Sequence, residues 1–133
     1  MVNAAGRNAN FLLNIGPIPN RQIQREFTDS LKALSQWLEQ NGEAYYGTRG
    51  SVVPPQEWGV VTTRPGVMYI HILKPVQGHY IFIPALTQKV SAASLFKSKS
   101  PVRFKQQPEG LFVYLDGIAP DSVDTIIQLK VKP

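Results

Sequence analysis

Beyond about residue 57 the apolar positions follow a period of two or fall in short unbroken runs, with turn residues between them. Met68, Ile70 and Ile72 alternate with Val67, Tyr69 and His71, and Thr125, Ile127, Leu129 and Val131 alternate with Ile126, Gln128 and Lys130. A strand turns successive side chains to opposite faces, so this period predicts strands. They are expected at 57–63, 67–73, 80–83, 102–106, 111–115 and 125–131, with a weaker run at 89–96. Gln107-Pro108-Glu109-Gly110 reads as the turn of a hairpin. Short strands in close succession, with no helical period among them, predict an antiparallel β-sandwich.

The first third of the chain has a different rhythm. Phe11 to Ile15 is apolar with almost no alternation, as in a strand buried on both faces, and Gly16-Pro17 ends it. Phe27, Leu31, Leu34 and Leu38 then recur at spacings of four, three and four, which predicts a helix over 24–40. Trp37 widens its apolar stripe, and Asn41-Gly42 reads as a left-handed stop. Met1 to Ala9 is small and polar and is read as a frayed leader. Residues 43–55, with Tyr45, Tyr46, Gly47, Gly50 and Pro54-Pro55, form a connector. The fold class is therefore mainly β: an antiparallel sandwich preceded by a β-strand and one α-helix, divided into units 1–49 and 50–133. A lone strand and helix cannot bury their own apolar faces, so the first unit is expected to need something larger around it.

Several polar and glycine positions of that first unit carry a resemblance. Asn10-Phe11-Leu12-Leu13-Asn14-Ile15-Gly16-Pro17, Ile23, Leu34, Trp37-Leu38, Asn41-Gly42-Glu43 and Tyr46-Gly47-Thr48-Arg49 resemble the last strand and helix of the (β/α)8 catalytic barrel of the alpha-L-fucosidases, glycoside hydrolase family 29. The family often has glycine after the Gly-Pro turn, where this chain has Asn20-Arg21. The remainder resembles the β-sandwich that follows the barrel in those enzymes. The resemblance implies a parent hydrolase that removes terminal alpha-L-fucose with retention, through an Asp nucleophile and a Glu acid/base on earlier strands. It implies the rest of that barrel as partner, a fucosylated glycan as parental substrate, and a periplasmic or secreted address. It places Asn10, Asn14, Gly16, Pro17, Asn41, Gly42, Glu43, Tyr46 and Gly47 in a structural motif at or near the active-site rim.

Composition changes this picture little. The 133 residues are 43% hydrophobic and 17% charged, within the globular range. Cysteine is absent, which removes disulfide and thiolate chemistry. The net charge of +5 raises the question of nucleic acid, but Arg103 and Lys105 alternate with Val102 and Phe104 as one solvated face of a strand, so no nucleic-acid partner is expected. No apolar run is long enough for a membrane span.

Chemistry-bearing patterns are sparse. His71 and His79 lack a companion at metal-ligand spacing, and no phosphate loop or nucleophile elbow occurs, so no metal or cofactor is expected. His71, in an apolar strand, reads as a hydrogen-bonded core residue. A glycosidase needs two carboxyl groups about 5 to 9 Å apart across the sugar. Each Asp and Glu here reads as helix surface, connector or turn, and none as an acid in an apolar pocket. This chain alone is expected to be a non-catalytic accessory domain. The alternatives are a carbohydrate-binding module using Trp58 and Tyr69, with Tyr80 and Tyr114 also to be considered, and a free-standing interaction protein. Left without its barrel, the apolar strand and helix are expected to fold back on the sandwich or to drive self-association.

Overall fold

The computed structural model describes residues 1–132. Eight strands form two antiparallel sheets. The strands are β1 (Arg49–Gly50), β2 (Gly59–Arg64), β3 (Val67–Ile72), β4 (Tyr80–Pro84), β5 (Val90–Leu95), β6 (Phe104–Gln107), β7 (Gly110–Tyr114) and β8 (Thr125–Val131). One sheet runs β1-β2-β3-β8-β5 and the other β4-β7-β6. The period-two pattern explains which faces meet. Val61, Met68, Ile70, Ile72, Ile127, Leu129 and Val131 of the larger sheet pack on Ile81, Ile83, Leu111 and Val113 of the smaller. The hairpin at 107–110 is present, with Gln107 paired to Gly110 across Pro108 and Glu109.

The outer face of the larger sheet is covered by helices. Helix α1 (Val2–Gly6) lies against β1 and β2, and helix α2 (Arg25–Asn41) leads into a 3-10 turn over Gly42–Ala44. Trp37 of α2 packs with Ala44, Tyr69, Phe96 and Ile126 in a second, smaller core. That cover explains β3, buried on both faces from Met68 to Ile72 although its sequence alternates.

Four expectations are corrected. Residues 1–9 are not a frayed leader, because Val2 and Gly6 are buried and Asn8 Oδ1 accepts from the Gly50 amide at 2.7 Å. Residues 11–15 form no strand: they pair with nothing, and Phe11, Leu12 and Leu13 are 46%, 91% and 48% exposed. An apolar strand needs ladder partners on both sides, and the chain spends its strands on the two sheets described. The helix stop is also different, since Gly42 is right-handed helical and the left-handed residue comes later, at Gly47 (φ +68). Finally, the connector holds strand β1, whose Arg49 and Gly50 pair with Thr63 and Thr62.

Candidate functional site: a hydrogen-bonded junction between helix and sheet

Polar groups that the sequence scatters over 80 residues converge where the 3-10 turn meets the outer face of β2, β3 and β8. Thr62, His71 and Asp124 are all buried. His71 Nδ1 lies 2.7 Å from Asp124 Oδ2, and its Nε2 lies 3.0 Å from Thr62 Oγ1. The Thr62 hydroxyl donates to the Ala44 carbonyl at 3.1 Å. A hydroxyl has one hydrogen to give. With it on Ala44, the chain of bonds is complete when His71 Nε2 donates to the hydroxyl oxygen.

Pairing geometry brings these groups together. His71 stands opposite Ile126 in the β3–β8 ladder, so Asp124 is its diagonal neighbour on the same face. The turn before β8 then fixes the carboxylate. Asp121 Oδ1 accepts from the Val123 amide at 2.9 Å and the Asp124 amide at 3.3 Å, and Lys97 Nζ donates to Asp121 Oδ2 at 2.6 Å. The Lys97 ammonium and these amides hold the Asp121 carboxyl below the usual carboxylate range. Asp124 goes the other way: burial pushes it up, against the opposing pull of His71. Its Oδ1 has no protein partner.

A second set of bonds lies one turn away. Tyr69 donates to Glu43 Oε1 at 3.0 Å and Arg64 Nη1 donates to the Glu43 carbonyl at 3.2 Å. Burial, and then the Glu43 carboxylate, raise the Tyr69 phenol. The turn at 43–44 is thus latched to the sheet through Tyr69, Arg64 and Thr62. Serine-protease-like as the Thr-His-Asp order looks, every member is enclosed and no substrate could reach the hydroxyl, so the arrangement is cohesive rather than nucleophilic.

The motif residues divide into two groups. Asn41 is buried and its Nδ2 donates to the Trp37 carbonyl at 2.9 Å; Gly42 and Glu43 form the latched turn. Tyr46 is 58% exposed beside Tyr45, and Gly47 closes the turn. Asn10, Asn14, Gly16 and Pro17 are exposed and distant from this junction in the bonding network. Tyr69 cannot contact a glycan: it is 1% exposed, with its ring edge-on to Phe96. Trp58 is partly buried and packs against the main core. Asp124 is the residue that sequence reading missed, an acid in an apolar setting where none was expected. Its signal was its place one residue before a strand, but which strand it would join was not written there. Among the described residues, no three His, Asp or Glu side chains lie close enough to share a metal ion, and no helix is long and apolar enough to cross a membrane.

The fold and the junction together define a two-layer antiparallel β-sandwich with helices packed on the outer face of its larger sheet. The Alpha-L-fucosidase family model matches residues 1–43. Tissue alpha-L-fucosidase of Bos taurus is 26% identical over 99% of this chain, and that of Homo sapiens 27% over 99%, each match covering 29% of the relative. Alpha-L-fucosidase isoenzyme 1 from Paenibacillus thiaminolyticus superposes with a TM-score of 0.84 at 28% identity, over 99% of this chain and 33% of that one. A GH29 alpha-L-fucosidase from Bacteroides thetaiotaomicron, trapped as a covalent intermediate, shares the fold with a TM-score of 0.87 at 19% identity, over 99% and 31%. Over nearly its whole length the chain is similar to about a third of an alpha-L-fucosidase, and a C-terminal portion of such an enzyme fits these matches. It spans less than a third of the length of the curated relatives it matches.

Proposed function

We propose that this chain serves as the C-terminal portion of a retaining alpha-L-fucosidase, supplying the last segment of the catalytic barrel and the sandwich that braces it. The observation that carries this reading is the exposure of Phe11, Leu12 and Leu13 in a chain that otherwise superposes along nearly its whole length on such enzymes. An apolar run of this kind is explained if it pairs with parallel neighbours of a barrel, which bury a strand on both faces. Asn14 and Gly16 would then stand at the carboxyl end of that strand, on the catalytic face, with Asn10 and Pro17 framing it. Hydrolysis of terminal alpha-L-fucose belongs to carboxylates on earlier strands. The covalent intermediate trapped in the Bacteroides neighbour supports retention as the stereochemical course.

A chimera tests this. The corresponding C-terminal portion of the Paenibacillus enzyme is replaced by this chain, and hydrolysis of an aryl alpha-L-fucoside is followed. The expected result is activity in the chimera, none in this chain alone, and loss of folding when the sandwich is omitted. A soluble, folded chimera without activity, or hydrolysis by this chain alone, would overturn the reading.

A further inference from the structure

The helices and the latch occupy the outer face of the larger sheet, and a groove that shares no lining residue with them lies beside edge strand β4. Its volume is about 850 Å³, and it runs between edge strand β4 and the segments that precede β2 and follow β3. Trp58, Tyr80 and Phe82 form its aromatic wall, and Glu57, Lys74 and Gln77 its polar rim.

The groove is built in advance. The Trp58 carbonyl accepts from the Leu73 amide at 2.8 Å and the Lys74 amide at 3.2 Å, tying the two segments together. Gly59 permits that approach, since a Cβ there would overlap the His71 carbonyl oxygen. On the other wall Tyr80 is 51% exposed, yet its ring is fixed against Phe112 and Tyr114 at centroid distances of 5.5 and 6.4 Å, and Phe82 lies 4.8 Å from Phe112. Rings held in this way lose little entropy on binding.

The rim says what kind of molecule fits. Glu57 only accepts hydrogen bonds, Lys74 only donates, and the Gln77 amide does both. The two charges cancel, which favours a neutral ligand. Hydroxyl groups are neutral and serve as donor and acceptor at once, so a polyol can meet Glu57, Lys74 and the Gln77 amide together. The apolar C–H face of a pyranose ring in turn matches an aromatic wall. We propose that the Trp58–Tyr80–Phe82 groove binds a neutral oligosaccharide. It requires no catalytic barrel and so goes beyond the hydrolase reading.

The experiment uses the full chain carrying Trp37→Phe, which leaves Trp58 as its single tryptophan. Cellopentaose, xylopentaose, maltopentaose and a neutral fucosylated milk oligosaccharide are titrated while Trp58 emission is recorded. The expected result is a saturable change with at least one of them, weakened about tenfold or more by Tyr80→Ala and untouched by Lys32→Ala on α2. Solvent-exposed Tyr80 and Lys32 can be replaced without unfolding, as circular dichroism checks. No response to any sugar overturns the proposal, as does preferential binding of a proline-rich peptide. Sedimentation showing a dimer abolished by Tyr80→Ala overturns it too, by assigning the groove to a second copy.

Discussion

At Asp124 desolvation and hydrogen bonding oppose each other, and the balance makes the residue sensitive to its neighbours. Removing its side chain strands His71 Nδ1 in a site with no exposure. Loss of one partner of a buried pair is costlier than loss of both, so Asp124→Ala should destabilise by about 3 kcal/mol, and adding His71→Leu should recover part of that. Urea unfolding of the two variants measures the difference. Asp121 contributes a stability that grows with pH. Its folded pKa lies below the unfolded reference of 3.8, so the stabilisation is fully present above that value and is lost as the pH falls through the folded one. Lys97→Met removes the first cause of the shift, so acid unfolding should begin at a higher pH than in the parent chain. Melting temperatures recorded from neutral to acid pH check this. The opposite sign belongs to Asp124: its pKa is raised by burial, so it favours the folded state most below 3.8, and that advantage fades as pH rises through its folded value.

Strands β3 and β8 were legible because packing between the two sheets enforces the period of two, and the faces read from Met68, Ile70, Ile72 and from Ile127, Leu129, Val131 are those that meet in the core. Helix α2 was legible for the corresponding reason, with its 3.6-residue stripe ending at Trp37 and Leu38. Helix α1 was not, because five residues of small and polar character carry no period, and its position depends on Gly6 lying close to Val60, a contact distant in sequence. The latch was hidden in the same way: Thr62, His71 and Asp124 meet only once β2, β3 and β8 are adjacent, and strand order is a property of the whole topology. Residues 11–15 show the converse, a local strand-like pattern with no ladder partner among the described residues. Trp37 is where helix and sheet depend on each other, since it is the α2 side chain that enters the smaller core. Trp37→Ala should cost roughly 2 kcal/mol, less than a fully buried tryptophan, and should raise amide exchange over 42–48 more than in β3 and β8. Equal acceleration throughout would show that the helix and the sandwich unfold as one unit.

Across the whole molecule, burial is unevenly divided. The sandwich encloses most of its apolar side chains, with Val52, Tyr80 and Val123 the exposed exceptions, while Phe11, Leu12, Leu13, Ile23 and Phe27 remain 42% to 91% exposed on the segment leading into α2 and its first turn. Water contact with so much apolar surface in one stretch is unfavourable by about 25 cal/mol for each Å² that could be covered. Neighbouring strands of a barrel would cover it. In their absence a second copy can, through side-by-side pairing of residues 11–15, whose amides and carbonyls make no backbone hydrogen bonds among the described residues. The isolated chain is therefore expected to self-associate with rising concentration, and Leu12→Asp with Phe27→Asp should return it to monomer without lowering the melting temperature of the sandwich, because neither side chain belongs to either core. Sedimentation velocity over a concentration series decides the matter. A monomer at every concentration would mean that the exposed run is tolerated, and would weaken the argument that it is shaped for partners inside a barrel. Association that persists in the double variant would place the contact elsewhere, with the aromatic face of β4 and β7 the next surface to alter.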